Sequence, residues 1–576
     1  MDNNVIFSVI LVTVRVLLPL LAIIIVYQIF ASMRRHTRDN KPLIMLLNKY
    51  TKEQIPVLCW ENSVGRSRSN DIVINDPTVS RTHIVLLRRD KGWLITDIDS
   101  KAGVLVNGKK VSERAKVFID DEIKIGNTVL VIHQGTDYSK KNLQVKYHKE
   151  PIAPFKLLMM ITFFHLLMTF GACYSTDITN FQPFIPFGIF TALSWTMFGV
   201  SMLIMNRVTF EMESLAIFLS GIGVIMLCRQ NIHSCYTQII TCAIGMIAFL
   251  ILIKFIEDPD RITKWRFVIM GIAVGFLLMN MAFGHLRGGE QNWIQIGGFT
   301  IQPSEFVKIA YIFVGASSLD ILLTRKNLME FIIFTAICIG ALFFMGDFGT
   351  ALIFFVTFLM ISFMRSGDFK TLILALAAAV FGGTIVLRFK PYVANRFKTW
   401  GHALQYAQTG GYQQARVLTY IASGGLFGVG IGNGCLKYVA ASESDLVFGL
   451  ISEEMGFLMA VIIAVSIVAL VFYSRAVTTR SRSTFYSISA CCTAGLLVFQ
   501  AGLNIFGATD VLPLTGVTLP FISAGGSSII SCWALLAFLK AADEKTYAAK
   551  RRRTKAISKY EEEPDDEDFD EDYDDE

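Results

Sequence analysis

No CxxC pair occurs among the ten cysteines, and most of them sit inside apolar stretches. They read as small core residues, so neither a thiolate metal site nor a disulfide frame is expected. The N-terminus lacks a basic leader region, and no small-residue cleavage site precedes the basic run "RRHTR". A cleavable signal peptide is therefore not expected. Bases are missing from the last 16 residues, "EEEPDDEDFDEDYDDE", which hold 13 acids and read as a solvated tail. The overall net charge of +6 thus leaves the rest of the chain near +19. The polarity of a soluble protein is also missing: 53% of the 576 residues are hydrophobic and mean hydropathy is +0.50.

What the sequence has instead is repeated apolar runs of bilayer-crossing length, among them 5–30 and 446–473. The fold class expected is a polytopic α-helical membrane protein. The first run, an anchor over 1–33, ends at basic residues. By the positive-inside rule Met1 lies outside and the segment after Arg34 lies in the cytoplasm. Twelve further spans follow, centred near residues 164, 195, 219, 246, 275, 313, 336, 356, 379, 459, 495 and 530. Their inner connections, such as "EDPDRITKWR", "TRKN" and "SRAVTTRSR", all carry Lys or Arg. The outer connections are then 174–184, 229–234, 284–303, about 345, 389–445 and 507–519. The stretch 389–445 is long and basic, with Lys390, Arg396, Lys398, Arg416 and Lys437. Basic residues that defy the topology rule are candidates for holding an anion. Arg15, inside the first span, reads as a snorkelling side chain.

Residues 40–150 break this pattern. Short alternating runs separated by Asn, Asp and Gly turns predict a cytoplasmic all-β sandwich. Within it Gly65-Arg66 is followed, 14 residues after the arginine, by Ser80-x-x-His83, and later by the tight-turn pair Asn107-Gly108. The planar donors of Arg66 and the Ser80 hydroxyl suit a phosphate dianion, while His83 reads as a loop-ordering residue. Residues 56–133 resemble the forkhead-associated (FHA) domain, which binds phosphothreonine peptides. The resemblance implies phosphopeptide contacts from Arg66, Ser80 and Arg81, with His83 and Asn107 completing the motif. Ala102 stands where many members carry an asparagine that reads the peptide beyond the phosphate.

Four glycine-rich polar clusters lie at the outer ends of spans: 284–309, 345–355, 411–456 and 504–530. Irregular backbone at that depth needs protein or a wet cavity around it, so the clusters predict one outward-facing cavity. Carboxylates there are costly and default to functional candidates: Glu305, Asp347, Asp445, Glu453 and Glu454. Glu453 reads as a staple between helices. Glu453 and Glu454 should lie about 12 Å deeper than Asp445 on a regular helix.

The motifs "QPSEFVK", "DFGT", "SGGLFGVGIG", "SDLVFGLISEEMG" and "LPLTGVTLPFISAGGSS" resemble the FtsW/RodA/SpoVE (SEDS) glycosyltransferases over roughly 211–540. The resemblance implies a ten-span core within 209–543, preceded by two accessory spans within 151–208 and followed by a basic then acidic tail from 544. It also implies polymerisation of lipid II into peptidoglycan strands, with Asp445 as the loop aspartate, and pairing with a class B penicillin-binding protein. No nucleic-acid partner is expected. Three departures stand out: "YVAASES" replaces a Leu-Pro-Glu element upstream of the aspartate, Asn292 replaces an arginine before Trp293, and Ala524 replaces an aromatic. Glu443 is the carboxylate available in place of the missing glutamate.

The chemistry is consistent with this set. A sugar hydroxyl needs a base, whereas a diphosphate leaves without a protonated acid if its charge is neutralised. Asp445 is the expected base. Lys437, Arg416 and Arg396 are the expected diphosphate clamp, and Trp293, Glu305, Asp347, Glu454 and Ser527 are expected substrate contacts. A divalent cation, Mg or Mn, would travel with the diphosphate, although no firm ligand set shows. Two other classes remain open: a lipid flippase, for which midplane polar groups would be needed, and a non-catalytic scaffold for cell-wall enzymes.

Overall fold

In a computed structural model of the chain, the described residues are 3–34, 42–134, 153–205, 209–320 and 325–543, apart from short gaps at 69, 90–91, 99, 113, 176–177, 288–289, 297–298, 367–368, 390, 479–480 and 482. The acidic tail, the basic residues before it and the "TRKN" lysine-side connection up to residue 324 lie wholly or partly outside them.

The alternating runs after the first span form eleven strands: β1 (Ile44–Asn48), β2 (Gln54–Val57), β3 (Glu61–Gly65), β4 (Ile72–Val73), β5 (Ile84–Arg89), β6 (Gly92–Asp97), β7 (Val104–Val106), β8 (Lys109–Lys110), β9 (Arg114–Val117), β10 (Glu122–Ile125) and β11 (Thr128–Gln134). One sheet has the order β2-β1-β11-β10-β7-β8, the other β4-β3-β5-β6-β9. Val57, Val64, Ile84, Ile95 and Leu130 close the core between them. This is the sandwich that the period-2 pattern predicts.

Sixteen α-helices are described: α1 (Asn3–Arg34), α2 (Pro154–Cys173), α3 (Phe184–Met205), α4 (Glu211–Gln230), α5 (Ile232–Phe255), α6 (Pro259–Phe283), α7 (Pro303–Asp320), α8 (Arg325–Met345), α9 (Phe348–Ser366), α10 (Phe369–Phe389), α11 (Pro391–Thr399), α12 (Tyr412–Gly424), α13 (Val447–Glu454), α14 (Phe457–Thr478), α15 (Thr484–Ala508) and α16 (Gly526–Ala541). Each of the thirteen expected span centres falls on a helix. Nine of the described helices are long and apolar enough to cross a membrane, and α9 and α16 are apolar but shorter over the same test. Helix α4 is the most enclosed, buried along nearly its whole length. At its start Glu213 accepts from Lys540 of α16 at 2.7 Å, both side chains buried, while Lys540 also donates to the Thr209 carbonyl.

The sheet domain is seated on the helical bundle. Trp60 joins the bundle's core, edge-on to Tyr486 with centroids 6.1 Å apart. Tyr486 in turn donates to the Ile256 carbonyl at 2.7 Å. Beside it both Glu61 oxygens face the start of α15: Ser483 Oγ donates to Oε1 at 3.1 Å and the Thr484 N–H to Oε2 at 2.9 Å. A carboxylate there satisfies an orphan N–H and opposes the positive helix end. Glu61→Ala should lower full-chain stability by about 0.5–2 kcal/mol, the usual value of a helix cap. An unchanged melting temperature would show the cap to be dispensable.

Two expectations are corrected, for the run 446–473 and for Arg15, and two connections prove to be structured. The run 446–473 is not one span: α13 ends at Glu454 and α14 starts at Phe457. Gly456 turns the chain at φ +92°, where a Cβ would collide with the Leu426 carbonyl. The segment 389–445 is not an open loop but carries α11, α12 and a 3₁₀ turn, Leu436–Tyr438. The connection 284–303 contains a three-stranded sheet, β14 (His285–Arg287), β15 (Glu290–Ile296) and β16 (Phe299–Ile301), after the small hairpin β12 (Tyr174–Ser175) and β13 (Ile178–Thr179). Arg15 does not simply reach toward solvent; its guanidinium lies against Gly430.

Candidate active site and phosphopeptide face

Asp445 sits on a closed turn immediately before α13. Ala441, at φ +64°, offers one carbonyl to the N–H groups of Ser444, Asp445 and Leu446 at 3.0–3.2 Å. The last interhelical segment grips this turn by its backbone. Asn504 of α15 donates to the Asp445 carbonyl at 2.9 Å and to the Val517 carbonyl at 2.7 Å. Ser523 Oγ donates to the Ser444 carbonyl at 2.6 Å, and the Ala524 N–H to the Glu443 carbonyl at 2.8 Å. Gly516, at φ +71°, passes the Asp445 carboxylate so closely that a Cβ there would lie 3.7 Å from Oδ2. The Asp445 side chain is half-buried and so reachable from one side. Burial pushes the nearby Glu443 carboxyl above its usual range, partly offset by a hydrogen bond to Ser234.

Glu453 and Glu454 have a different task from the one expected. Rather than stapling helices, both bind the backbone of the glycine-rich segment. Glu453 accepts from the Cys435 N–H at 2.7 Å and the Leu436 N–H at 2.9 Å, and Glu454 from the Gly432 N–H at 2.8 Å. Carboxylates bonded to several backbone donors are strong, fixed anchors. The Lys437 ammonium reaches back to the Gly432 carbonyl at 2.6 Å. Arg416 is exposed on α12 with its guanidinium 5.3 Å over the Tyr412 ring, and Arg396 is half-buried on α11. The expected clamp is therefore spread over three elements. Trp293, on β15 opposite His285, is half-buried.

Glu305, Asp347 and Ser527 do come together, through residues that the motif reading passed over. Lys308 donates to Glu305 at 2.8 Å and to Gln500 at 2.9 Å, with its side chain 1% exposed. Gln500 donates onward to the Thr518 carbonyl at 3.0 Å, and Thr518 Oγ1 pairs with Ser528 Oγ at 2.6 Å. Gln302 links the other two: its N–H donates to Ser527 Oγ at 2.9 Å and its side chain approaches Asp347 at 3.4 Å. Asp347 also caps the start of α9 through the Thr350 N–H at 2.9 Å. Gln500 and Asn504 stand one turn apart on α15, so one helix face serves both the buried lysine and the Asp445 turn. Two amides at i, i+4 in an apolar span were the available signal for this pair, as was the Glu305–Lys308 spacing of three.

No group of three or more His, Cys, Asp or Glu side chains placed to hold a metal occurs among the described residues.

At the far end of the sheet domain the Arg66 N–H donates to the Ser80 carbonyl at 3.0 Å and the Ser67 N–H to the Arg81 carbonyl at 2.9 Å. These bonds bring the Arg66, Ser80 and Arg81 loops side by side, with both arginines exposed. Gly65 permits it, because a Cβ there would collide with the Arg81 carbonyl. Asn70, missed by the sequence reading, donates to the Ser67 and Arg81 carbonyls. His83 and Asn107, which complete the motif, act as the loop-ordering and tight-turn readings expect. His83 is wholly buried, accepting from the Ser80 N–H and facing the Gly103 carbonyl at 3.1 Å, so it orders the loop. Asn107, at φ +49°, binds Asp121 and the Glu122 N–H, holding its turn.

Comparison with known proteins places these features. The FtsW/RodA/SpoVE family model, described as cell cycle protein, matches residues 215–548, and the FHA domain model matches residues 62–126. The peptidoglycan glycosyltransferase RodA of Mycobacterium tuberculosis is 27% identical over 380 residues, covering 60% of this chain and 80% of that protein. The probable peptidoglycan glycosyltransferase FtsW of Bacillus subtilis is 28% identical over 314 residues, 51% of this chain and 77% of that protein. A chain from a solved peptidoglycan synthase complex superposes with TM-score 0.50 at 23% identity, covering 60% of this chain and 98% of that one, which is a likeness of fold. With more than half of its length matched by one family model, the chain belongs to the FtsW/RodA/SpoVE family and carries an FHA domain ahead of its family core.

Proposed function

We propose that this protein polymerises lipid II into β-1,4-linked glycan strands for the bacterial cell wall, at the outer face of the cytoplasmic membrane. The observation that carries the reading is the Asp445 turn: a half-buried carboxylate whose backbone is fixed from α15 and the 516–524 segment, in a chain whose relatives are named peptidoglycan glycosyltransferases. The basic residues of the inner connections support the orientation, with the FHA domain and the C-terminus in the cytoplasm.

In this mechanism Asp445 takes the proton of the acceptor sugar hydroxyl. The hydroxyl oxygen bonds to the anomeric carbon of the donor as the bond from that carbon to the diphosphate oxygen breaks. The polyprenyl diphosphate leaves with the electron pair, and a single displacement inverts the anomeric centre. The turn holds the base in place before substrate arrives, so little reorganisation is needed at the moment of reaction. Lys437, Arg416 and Arg396 supply cationic charge for the leaving diphosphate, their separation on three elements suiting a substrate that draws the segments together. A divalent cation carried by the diphosphate would add to the same neutralisation.

The test is lipid II polymerisation by the purified full-length chain, alone and with a class B penicillin-binding protein, a partner suggested by the synthase complex that shares the fold. Glycan strands should form, and more abundantly with the partner. Movement of lipid II across vesicles without any polymer would replace this reading with a flippase.

The FHA face is proposed to recruit a phosphothreonine protein through Arg66, Ser80 and Arg81. Arg66→Ala should weaken capture of a phosphothreonine peptide by about tenfold or more, the usual value of a charge-assisted bond. Equal capture of phosphorylated and unphosphorylated peptide by the wild-type chain would remove phosphate reading from the proposal.

A further inference from the structure

Two cations in the helical bundle have no task in the chemistry above. Arg15 lies in the first span and Arg229 at the end of α4, both only partly exposed. Neither makes a hydrogen bond or ion pair with any described residue. An unpartnered guanidinium at membrane depth is costly unless something anionic meets it.

Both face the same ribbon of chain. Gly430, at φ +105°, leaves the space that the Arg15 guanidinium occupies: a Cβ there would collide with it, at 2.9 Å from Cζ. Gly432, at φ +82°, does the same for Arg229, whose Nε would stand 2.9 Å from a Cβ. The two arginines are therefore ranged along alternate glycines, on the side of the bundle that carries the Asp445 turn. Arg15 opens into a cleft between α1, the end of α2 and the glycine ribbon, lined also by Gly171, Tyr174, Asn433 and Glu454. Glu454 contributes an unsatisfied acceptor. Its Oε2 takes the Gly432 N–H, but its Oε1, buried in a side chain 1% exposed, has no partner among the described residues. A buried carboxylate oxygen without a donor is costly too.

The cleft thus wants two things at once: an anion against the Arg15 guanidinium and a hydroxyl-type donor against Glu454 Oε1, while Arg229 stands outside its lining, beside Gly432. We infer that it binds the headgroup of an anionic phospholipid that carries hydroxyls, of the phosphatidylglycerol type. The phosphate lies on Arg15, Arg229 adds positive charge from beside Gly432, and a headgroup hydroxyl donates to Glu454. Helix α1 and the end of α2 stand outside the family core, at 215–548, and bring Arg15 and the cleft wall to the core's own glycine ribbon, Arg229 and Glu454. Its occupant braces the segment that Glu453, Glu454 and Lys437 hold from within.

The full-length chain in phosphatidylcholine discs doped with phosphatidylglycerol tests this, with retained lipid read by native mass spectrometry. Phosphatidylcholine has a phosphate but no hydroxyl donor and is the internal control. Wild type should hold phosphatidylglycerol at least about tenfold more strongly than phosphatidylcholine, and Arg15→Gln should lose most of that preference, as expected for a charge-assisted bond. Arg15→Lys should keep part of it and Arg229→Gln should weaken it. Binding of soluble glycerol 3-phosphate in undoped discs, abolished by Arg15→Gln, would assign the same chemistry to a water-borne phosphate instead. Absence of any preference in wild type, or an unchanged preference in both glutamine variants, overturns the site. If Arg15→Gln loses its melting transition, Arg15→Lys and Arg229→Gln decide the outcome, and wild-type selectivity in both rejects the inference.

Discussion

Asp445→Asn should reduce lipid II polymerisation by about 10²–10⁴-fold, the range lost with a general base, and leave the protein folded. The substitution is close to isosteric, and the bonds described above reach the turn through its backbone atoms. The Asp445 N–H and carbonyl still bind Ala441 and Asn504, and Ser523 still reaches Ser444. What asparagine cannot do is accept the hydroxyl proton. The loss should appear in turnover with little change in the melting temperature or in co-purification with a transpeptidase. Asp445→Glu, which keeps the base but moves it by one methylene, should recover only part of the rate, since positioning errors near 1 Å are themselves costly. Wild-type polymer yield from the asparagine variant would remove Asp445 from the base role. An equal loss of thermal stability would make it a structural residue instead.

The broad architecture was legible in the sequence because it follows from hydropathy and period. Apolar runs of bilayer length locate thirteen of the sixteen described helices, and period-2 alternation locates the sandwich. The limits were of two kinds. Apolar composition does not reveal where a span breaks: Leu446 to Tyr473 reads as one helix, and the break is set by Gly456 meeting the Leu426 carbonyl, a contact between segments distant in sequence. Nor does residue type disclose partners. Glu454 is expected as a substrate contact because a carboxylate at that depth demands partners, and sequence cannot show that one of its oxygens takes the Gly432 N–H. His83 and Asn107 belong to the motif of their domain for a similar reason, each ordering a loop that presents other residues. The reverse error hid Lys308, Gln500 and Asn504. Lys308 ends the motif "QPSEFVK" and Gln500 and Asn504 lie in an apolar span, and each is a polar side chain where an apolar one would be cheaper.

Lys308 carries the largest expected effect on stability. Its ammonium is 1% exposed and bridges Glu305 to Gln500, which ties α7 to α15 and, through Thr518, to the segment that approaches Asp445. Glu305 already has one oxygen, Oε2, without a partner among the described residues. Lys308→Met keeps the length of the side chain but strands the Glu305 carboxylate in the bundle. The cost should be about 3–5 kcal/mol, as for a buried pair broken from one side. It is visible as a lower melting temperature or earlier unfolding in mild detergent titrated with a denaturing one. Removing both charges tests the cause. In Glu305→Gln/Lys308→Met the carboxylate that Lys308 bonds directly is gone, and most of the stability should return, giving a coupling energy far from additive. Gln500 then has lost its donor and Thr518 its fixed neighbour, so polymerisation should stay low even with stability restored. That separation of fold from turnover would identify the buried pair as a strut for the Asp445 turn. A double variant as unstable as Lys308→Met, or a single variant as stable as wild type, would mean that the ion pair is not what holds α7 to α15.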